Sequence, residues 1–213
     1  MLFRSDQFAG AAADEIEDPR PYAEILRQWS SLHPEYSFLP RKFKIAVNGA
    51  AKDRAAIRVH DIGSQIVKNA AGEVGFAVYV GGGLGRTPLV GHKIRAFLPK
   101  ADLLAYTNAI LRIYNLEGRR DNKFKARIKI LVHEKGADVI RTEVEAEFAD
   151  HRDDALALPQ DEIDRIRAYF APPALPARAT TSSAFEKRKA NDSGFARFTA
   201  QNAVAHKVPG YSK

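Results

Sequence analysis

Lys42 and Lys44 stand two residues apart in Arg41-Lys-Phe-Lys-Ile-Ala-Val47. On a strand this spacing sends both ammonium groups off one face, while Phe43, Ile45 and Val47 leave the other. Two neighbouring cations repel each other, and an anion held between them relieves that repulsion. The chemistry such a pair suits is anion binding with protons at hand. The same spacing also serves a solvated strand face, where lysine keeps an edge soluble. Spacing alone leaves both uses open.

A second candidate is the glycine-rich run Gly81-Gly-Gly-Leu-Gly-Arg-Thr-Pro88. It fails the phosphate-loop pattern, since Val80 stands where the first glycine belongs and Arg86 where the lysine does. It fails the dinucleotide fingerprint in every frame, because the required glycine falls on Leu84, Arg86 or Pro88. Either a plain turn or a loop passing flat against a large planar ligand fits the run. The third candidate is basic: Arg119, Arg120, Lys123, Lys125, Arg127 and Lys129. At helical spacing Arg120, Lys123 and Arg127 share a face, to contact carboxylates or simply to be solvated. The six histidines show no metal-ligand spacing.

Composition narrows the chemistry further. The chain has 213 residues, 45% of them hydrophobic and 28% charged, which is a globular balance. No apolar run reaches the roughly 20 residues of a membrane span. There is no cysteine, which excludes a disulfide framework, a thiolate zinc site, a cysteine nucleophile and a self-contained iron–sulfur site within these residues. It also suits a cytoplasmic protein. The net charge of +7 is uneven: residues 36–137 hold 19 basic and 7 acidic side chains, between two acidic flanks. A strongly basic middle calls for an anionic partner.

The elements that must position these residues read as α+β, with helices flanking a small mixed or antiparallel sheet. Tyr22, Ile25, Leu26 and Trp29 recur at helical spacing, and Pro34 ends that helix. Strands are expected at 41–47, around 57–63 and at 75–80. The last is nearly all apolar and therefore central. Asp102 starts a helix that Gly118 stops, 122–135 and 137–149 read as helices split at Gly136, and a short helix covers 161–170. Residues 171–194 are rich in proline, alanine, serine and threonine and read as a linker.

At Leu39-Pro-Arg-Lys-Phe-Lys-Ile45 the sequence resembles the lysine motif of the sulfite/nitrite reductase hemoproteins, the siroheme and [4Fe-4S] enzymes. Val80-Gly-Gly-Gly-Leu-Gly-Arg-Thr87 is similar to that family's glycine loop, in the right order. Gly118-Arg-Arg-Asp-Asn-Lys-Phe-Lys-Ala-Arg-Ile-Lys-Ile130 and Ala171-Pro-Pro173 match its flanks. The resemblance implies residues 1–170 as a first siroheme-binding domain shortened at its start, 171–194 as a linker, and 195–213 as the opening of a second ferredoxin-like half-domain. It implies Lys42 and Lys44 as the groups that neutralise the oxyanion and deliver protons. Arg41, Gly81, Gly82, Gly83, Gly85, Arg86, Thr87, Lys93, Arg120 and Lys123 are the implied cofactor contacts. The cluster cysteines would lie outside these residues. Arg4 is not in a context that matches the family's substrate-binding arginines.

The implied reaction is six-electron reduction of sulfite to sulfide, or of nitrite to ammonia, with electrons from ferredoxin or an NADPH-dependent flavoprotein. No membrane or nucleic acid is implied. A basic nucleic-acid-binding module is the alternative from another class. It would need exposed aromatics among its cations; only Phe43 and Phe124 stand within the basic strings, and Phe43 points to the core by alternation.

Overall fold

Alternation in Lys44-Ile-Ala-Val-Asn48 builds strand β2 and decides the architecture. Ile45 and Val47 enter the main core, whereas Ala46 joins a small cluster with Ala55 and Ile57 on the opposite face. The computed structural model describes residues 1–152 and 156–213. Its sheet has five strands in the order β1 (Leu2–Ser5), β2, β3 (Ile62–Lys68), β4 (Val74–Val80) and β5 (His92–Pro99). The first two pairings are parallel and the last two antiparallel, so the sheet is mixed, as the α+β reading allows.

One face is covered by helices. α1 (Arg20–Ser31) contributes Tyr22 and Leu26, and α2 (Leu103–Glu117) contributes Tyr106, Ile110, Leu111 and Tyr114, all fully buried. α3 (Ile128–Lys135), α4 (Ala137–His151) and α5 (Gln160–Tyr169) add Val132, Val144 and Ile166 to the same core. Each of these large apolar groups stabilises the fold by roughly 1.5–3 kcal/mol relative to exposure. The other face of the sheet carries little apolar cover, and that is where the cations stand.

Several expectations need correction. Residues 57–59 form a 3-10 turn, not a strand, and β3 begins at Ile62. The cause is Asp53, whose carboxylate accepts from the Ala55 and Ile57 amides at 3.1 and 3.0 Å, with Ala56 in the left-handed region at φ +53. Residues 122–127 are not helical; α3 starts at Ile128. Asn122 turns the chain there, its side chain accepting from the Phe124 amide at 3.0 Å. The face that Arg120, Lys123 and Arg127 were to share therefore does not exist. β1 and β5 were not foreseen, the second because a bulge breaks its alternation opposite Val78 and Tyr79. Within 171–194 lies a helix, α6 (Ser183–Asn191), capped by Ser182 and fully solvated; α7 (Ser193–Asn202) follows, capped by Asp192.

Arg54 ties the segment after β1 to the segment after β2. Its guanidinium meets Asp6 at 2.7 Å and Asp14 at 3.0 Å. The hydrogen bonds from Arg54 hold the Asp14 carboxyl below its usual range, at about 2. A depressed folded-state value contributes stability above the unfolded value near 3.8 and loses it as pH falls towards 2. The thermal midpoint should therefore drop between pH 4 and pH 2. Arg54→Met should start lower near neutrality and show a shallower acid slope. Parallel slopes for the two proteins in pH-resolved calorimetry would refute this clamp.

Candidate functional site

Lys42 and Lys44 line one cleft of about 510 Å³ with Arg4, Ala55, Ala56, Val59, His60, Leu84 and Arg127. Four of the nine lining residues are cations and none is a carboxylate. Each cation arrives by a different route. Lys44 opens β2 and points away from the helix-covered face, as alternation with buried Phe43 (1% exposed) requires. Lys42 precedes it on the same side. Arg4 is placed by the parallel register of β1 on β2, which sets it beside Ala46. Arg127 comes from the loop before α3, because a buried carboxylate draws it in.

That carboxylate is Asp61, at the head of β3 and wholly inaccessible. One oxygen accepts from Arg127 Nη2 at 2.7 Å and Nε at 3.2 Å. The other accepts from the backbone amide of Lys44 at 2.9 Å. Burial pushes the Asp61 carboxyl above its ordinary range, against the pull of Arg127. His60, next in the chain, is buried, with Nδ1 2.8 Å from the Ala56 carbonyl; donation there leaves Nε2 as the free nitrogen.

The glycine run forms the opposite wall. Gly83 bridges to Leu89, with both backbone bonds at 2.9 Å, and throws Leu84 outward, 63% exposed. A Cβ on Gly82 would stand 2.3 Å from the Arg58 carbonyl oxygen, so the loop is glycine there because backbone passes backbone. Gly85, at φ +117, has nothing near its Cβ position and faces open space. Lys129 braces the loop from beneath, donating to the Leu84 carbonyl at 3.3 Å and to the Thr87 carbonyl. Burial, and then Arg127, lower the Lys129 ammonium below the usual lysine range. Beyond Leu84 a second hollow of about 250 Å³ is lined by Gly85, Arg86, Thr87, exposed Phe124 and Arg127.

The structure thus brings Lys42 and Lys44 to the glycine loop, and places Gly85, Arg86 and Thr87 at the adjoining hollow. Gly81, Gly82 and Gly83 are buried inside the loop. Arg41 and Lys93 line neither cavity. The Arg120 guanidinium is spent on the Phe38 carbonyl (2.8 Å) and on Asn115 (2.7 Å), and Lys123 lies over the Phe124 ring at 5.4 Å. Sequence reasoning missed Arg4, Asp61 and Arg127 as a set. The available signal was a lone acid at the head of an apolar strand inside a strongly basic segment.

Residues 3–152 match the family profile described as the nitrite and sulphite reductase 4Fe-4S domain. The chain belongs to the nitrite and sulphite reductase family. It is 31% identical over 144 residues to a sulfite reductase [ferredoxin] of Mycolicibacterium paratuberculosis, covering 68% of this chain and 26% of that protein. It is 39% identical over 133 residues to a sulfite reductase [ferredoxin] of Synechococcus elongatus, with 55% and 20% covered. A ferredoxin–nitrite reductase of Leptolyngbya laminosa is 31% identical over 160 residues, with 73% and 31% covered. The solved structure of the Mycobacterium tuberculosis NirA protein superposes with a TM-score of 0.64 at 26% identity, over 70% of this chain and 27% of that one. The chain therefore spans about a quarter of the length of these relatives. Among the described residues no helix is long and apolar enough to cross a membrane.

The residues present suit a polycarboxylate tetrapyrrole. The cleft offers cations without lining carboxylates, an exposed leucine, and beyond it an exposed phenylalanine beside an arginine and a threonine. Protonated amines and guanidinium groups have no lone pair for iron, so these side chains fit the ring's carboxylates and an oxyanion, not the metal.

Proposed function

We propose that this chain is the siroheme-binding part of an assimilatory sulfite reductase hemoprotein that reduces sulfite to sulfide, with nitrite reduction to ammonia as the close variant. The observation that carries the reading is the cleft itself: Arg4, Lys42, Lys44 and Arg127 converge on one cleft, on the sheet face opposite the buried helices α1 and α2. When bound, siroheme supplies the iron at which the anion is reduced, with electrons from a [4Fe-4S] cluster. This cysteine-free chain offers no thiolate for that cluster, so its ligands belong to residues outside these 213. The electron donor is ferredoxin, in keeping with the names of the relatives, and the setting is the cytoplasm.

Within this reading the chain's own residues bind, neutralise and deliver protons. Lys42 and Lys44 hold the oxyanion by charge-assisted hydrogen bonds. Each oxygen that departs leaves as water and takes two protons, and the two ammonium groups are the donors placed to give them. Arg4 and Arg127 add fixed positive charge. Arg86 and Thr87, at the adjoining hollow, contact ring carboxylates, and exposed Leu84 meets the ring's apolar surface. A nucleic-acid module is less well supported, since Phe43 is buried and Phe124 alone remains exposed among the basic residues.

Uroporphyrin III, a metal-free polycarboxylate tetrapyrrole, provides a direct test. The chain should bind it in a fluorescence titration, with affinity falling as salt rises. The double variant Lys42→Met/Lys44→Met should bind at least about tenfold more weakly. Equal binding by the double variant would sink the reading.

A further inference from the structure

We propose that Asp61 is the positioning residue of this cleft: its carboxylate sets Lys44 and Arg127 in register with each other and so fixes the cleft's affinity for anions. This rests on the reading of the cleft as an anion site. Asp61 lines no part of the cleft and touches nothing that would enter it. It stands behind the wall, its side chain 1% exposed. From there it gathers pieces far apart in sequence. Its two carboxylate oxygens take the Lys44 amide and the Arg127 guanidinium, and its own carbonyl accepts from the Gly81 amide at 3.1 Å. Arg127 in turn extends Nη1 to the Leu84 carbonyl at 3.4 Å. The lysine strand, the arginine and the glycine loop are thus all set from one residue.

Stability does not explain the acid. A carboxylate taken fully out of water is costly even when paired, and neutral groups of similar volume commonly serve as well or better. Burial raises the Asp61 carboxyl above its usual value. Between its unfolded and folded values the folded state then holds the extra proton, so stability falls as pH rises through that window. The ionised group costs stability at neutral pH. What it provides is geometry: a charge-assisted hold on Arg127 that leaves the guanidinium at the cleft wall with little freedom.

The two possible effects of Asp61 on a bound anion have opposite signs, which makes the role testable. Its negative charge repels an anion, so by field alone Asp61→Asn strengthens binding. As a positioning group its loss frees Arg127 and weakens binding. Uroporphyrin III is titrated against the full 213-residue chain and against D61N, R127M and D61N/R127M, with thermal midpoints recorded alongside. The expected result is D61N weaker than the parent by at least about fivefold, and D61N/R127M no weaker than R127M alone. A purely structural acid would weaken both backgrounds equally. Should D61N fail to fold, the double variant, which removes both charges together, carries the test against R127M. Binding by D61N as tight as the parent, or by D61N/R127M weaker than R127M, overturns the proposal. If the Lys42→Met/Lys44→Met chain binds like the parent, the anion site itself falls and this role with it. If only the lysine variant loses binding, Asp61 alone is acquitted of the role.

Discussion

On the proposed reading of the cleft, Lys44→Met in the full-length protein is expected to cut sulfite turnover about a hundredfold or more, because it would remove both a charge on the oxyanion and a proton source. Methionine matches the length of the lysine stem, so packing along the wall is preserved and the loss reports the ammonium group. Lys44 should matter more than Lys42. Its backbone is fixed by the buried carboxylate at 2.9 Å, whereas Lys42 precedes the strand and is exposed. Lys44→Arg separates the two roles. Arginine keeps the charge but does not release its proton in this pH range, so KM should stay near the parent value while kcat falls. The check is steady-state turnover with an artificial electron donor, normalised to siroheme content from the absorption spectrum. Full turnover by Lys44→Met at normal siroheme content would remove the lysines from the mechanism.

Much of this site was legible from periodicity, and the rest depended on contacts that one sequence does not display. Alternation about Phe43 placed Lys42 and Lys44 on one face, because a strand has only two sides and Phe43 must be buried. The glycine run announced a special loop but not its reason, which is the close pass of Gly82 over the turn at 57–59. Arg127 was misplaced by extending a helical period through Asn122, where a local side-chain hydrogen bond competes with helix formation. Arg4 was set aside for want of a matching context, since only the β1–β2 register, a pairing across some forty positions, brings it to the cleft. The helices with buried faces, α1 and α2, were read nearly to their ends because their apolar stripes are unbroken. The short strands β1 and β5 had no such stripe.

Gly82→Ala should be the most destabilising single methyl group in this loop. The added Cβ would lie 2.3 Å from the Arg58 carbonyl oxygen and 2.6 Å from that of His60, and both are backbone atoms that no side-chain rotation can move. The Arg58 carbonyl also accepts from the Gly91 amide at 2.6 Å, so pushing it aside breaks a bond that closes the far end of the loop. The turn holding Arg58 is itself pinned by Asp53, which leaves the strain no cheap outlet. A loss above about 4 kcal/mol is expected, in the range reserved for clashes and broken buried networks. Gly85→Ala is the control: its Cβ meets nothing, and only the positive φ of +117 is strained, at a cost of roughly 1–3 kcal/mol. Urea midpoints should therefore fall in the order parent, Gly85→Ala, Gly82→Ala. If glycine stood at 82 solely so that a ligand could come close, Gly82→Ala would unfold at the parent's urea concentration and lose only tetrapyrrole binding.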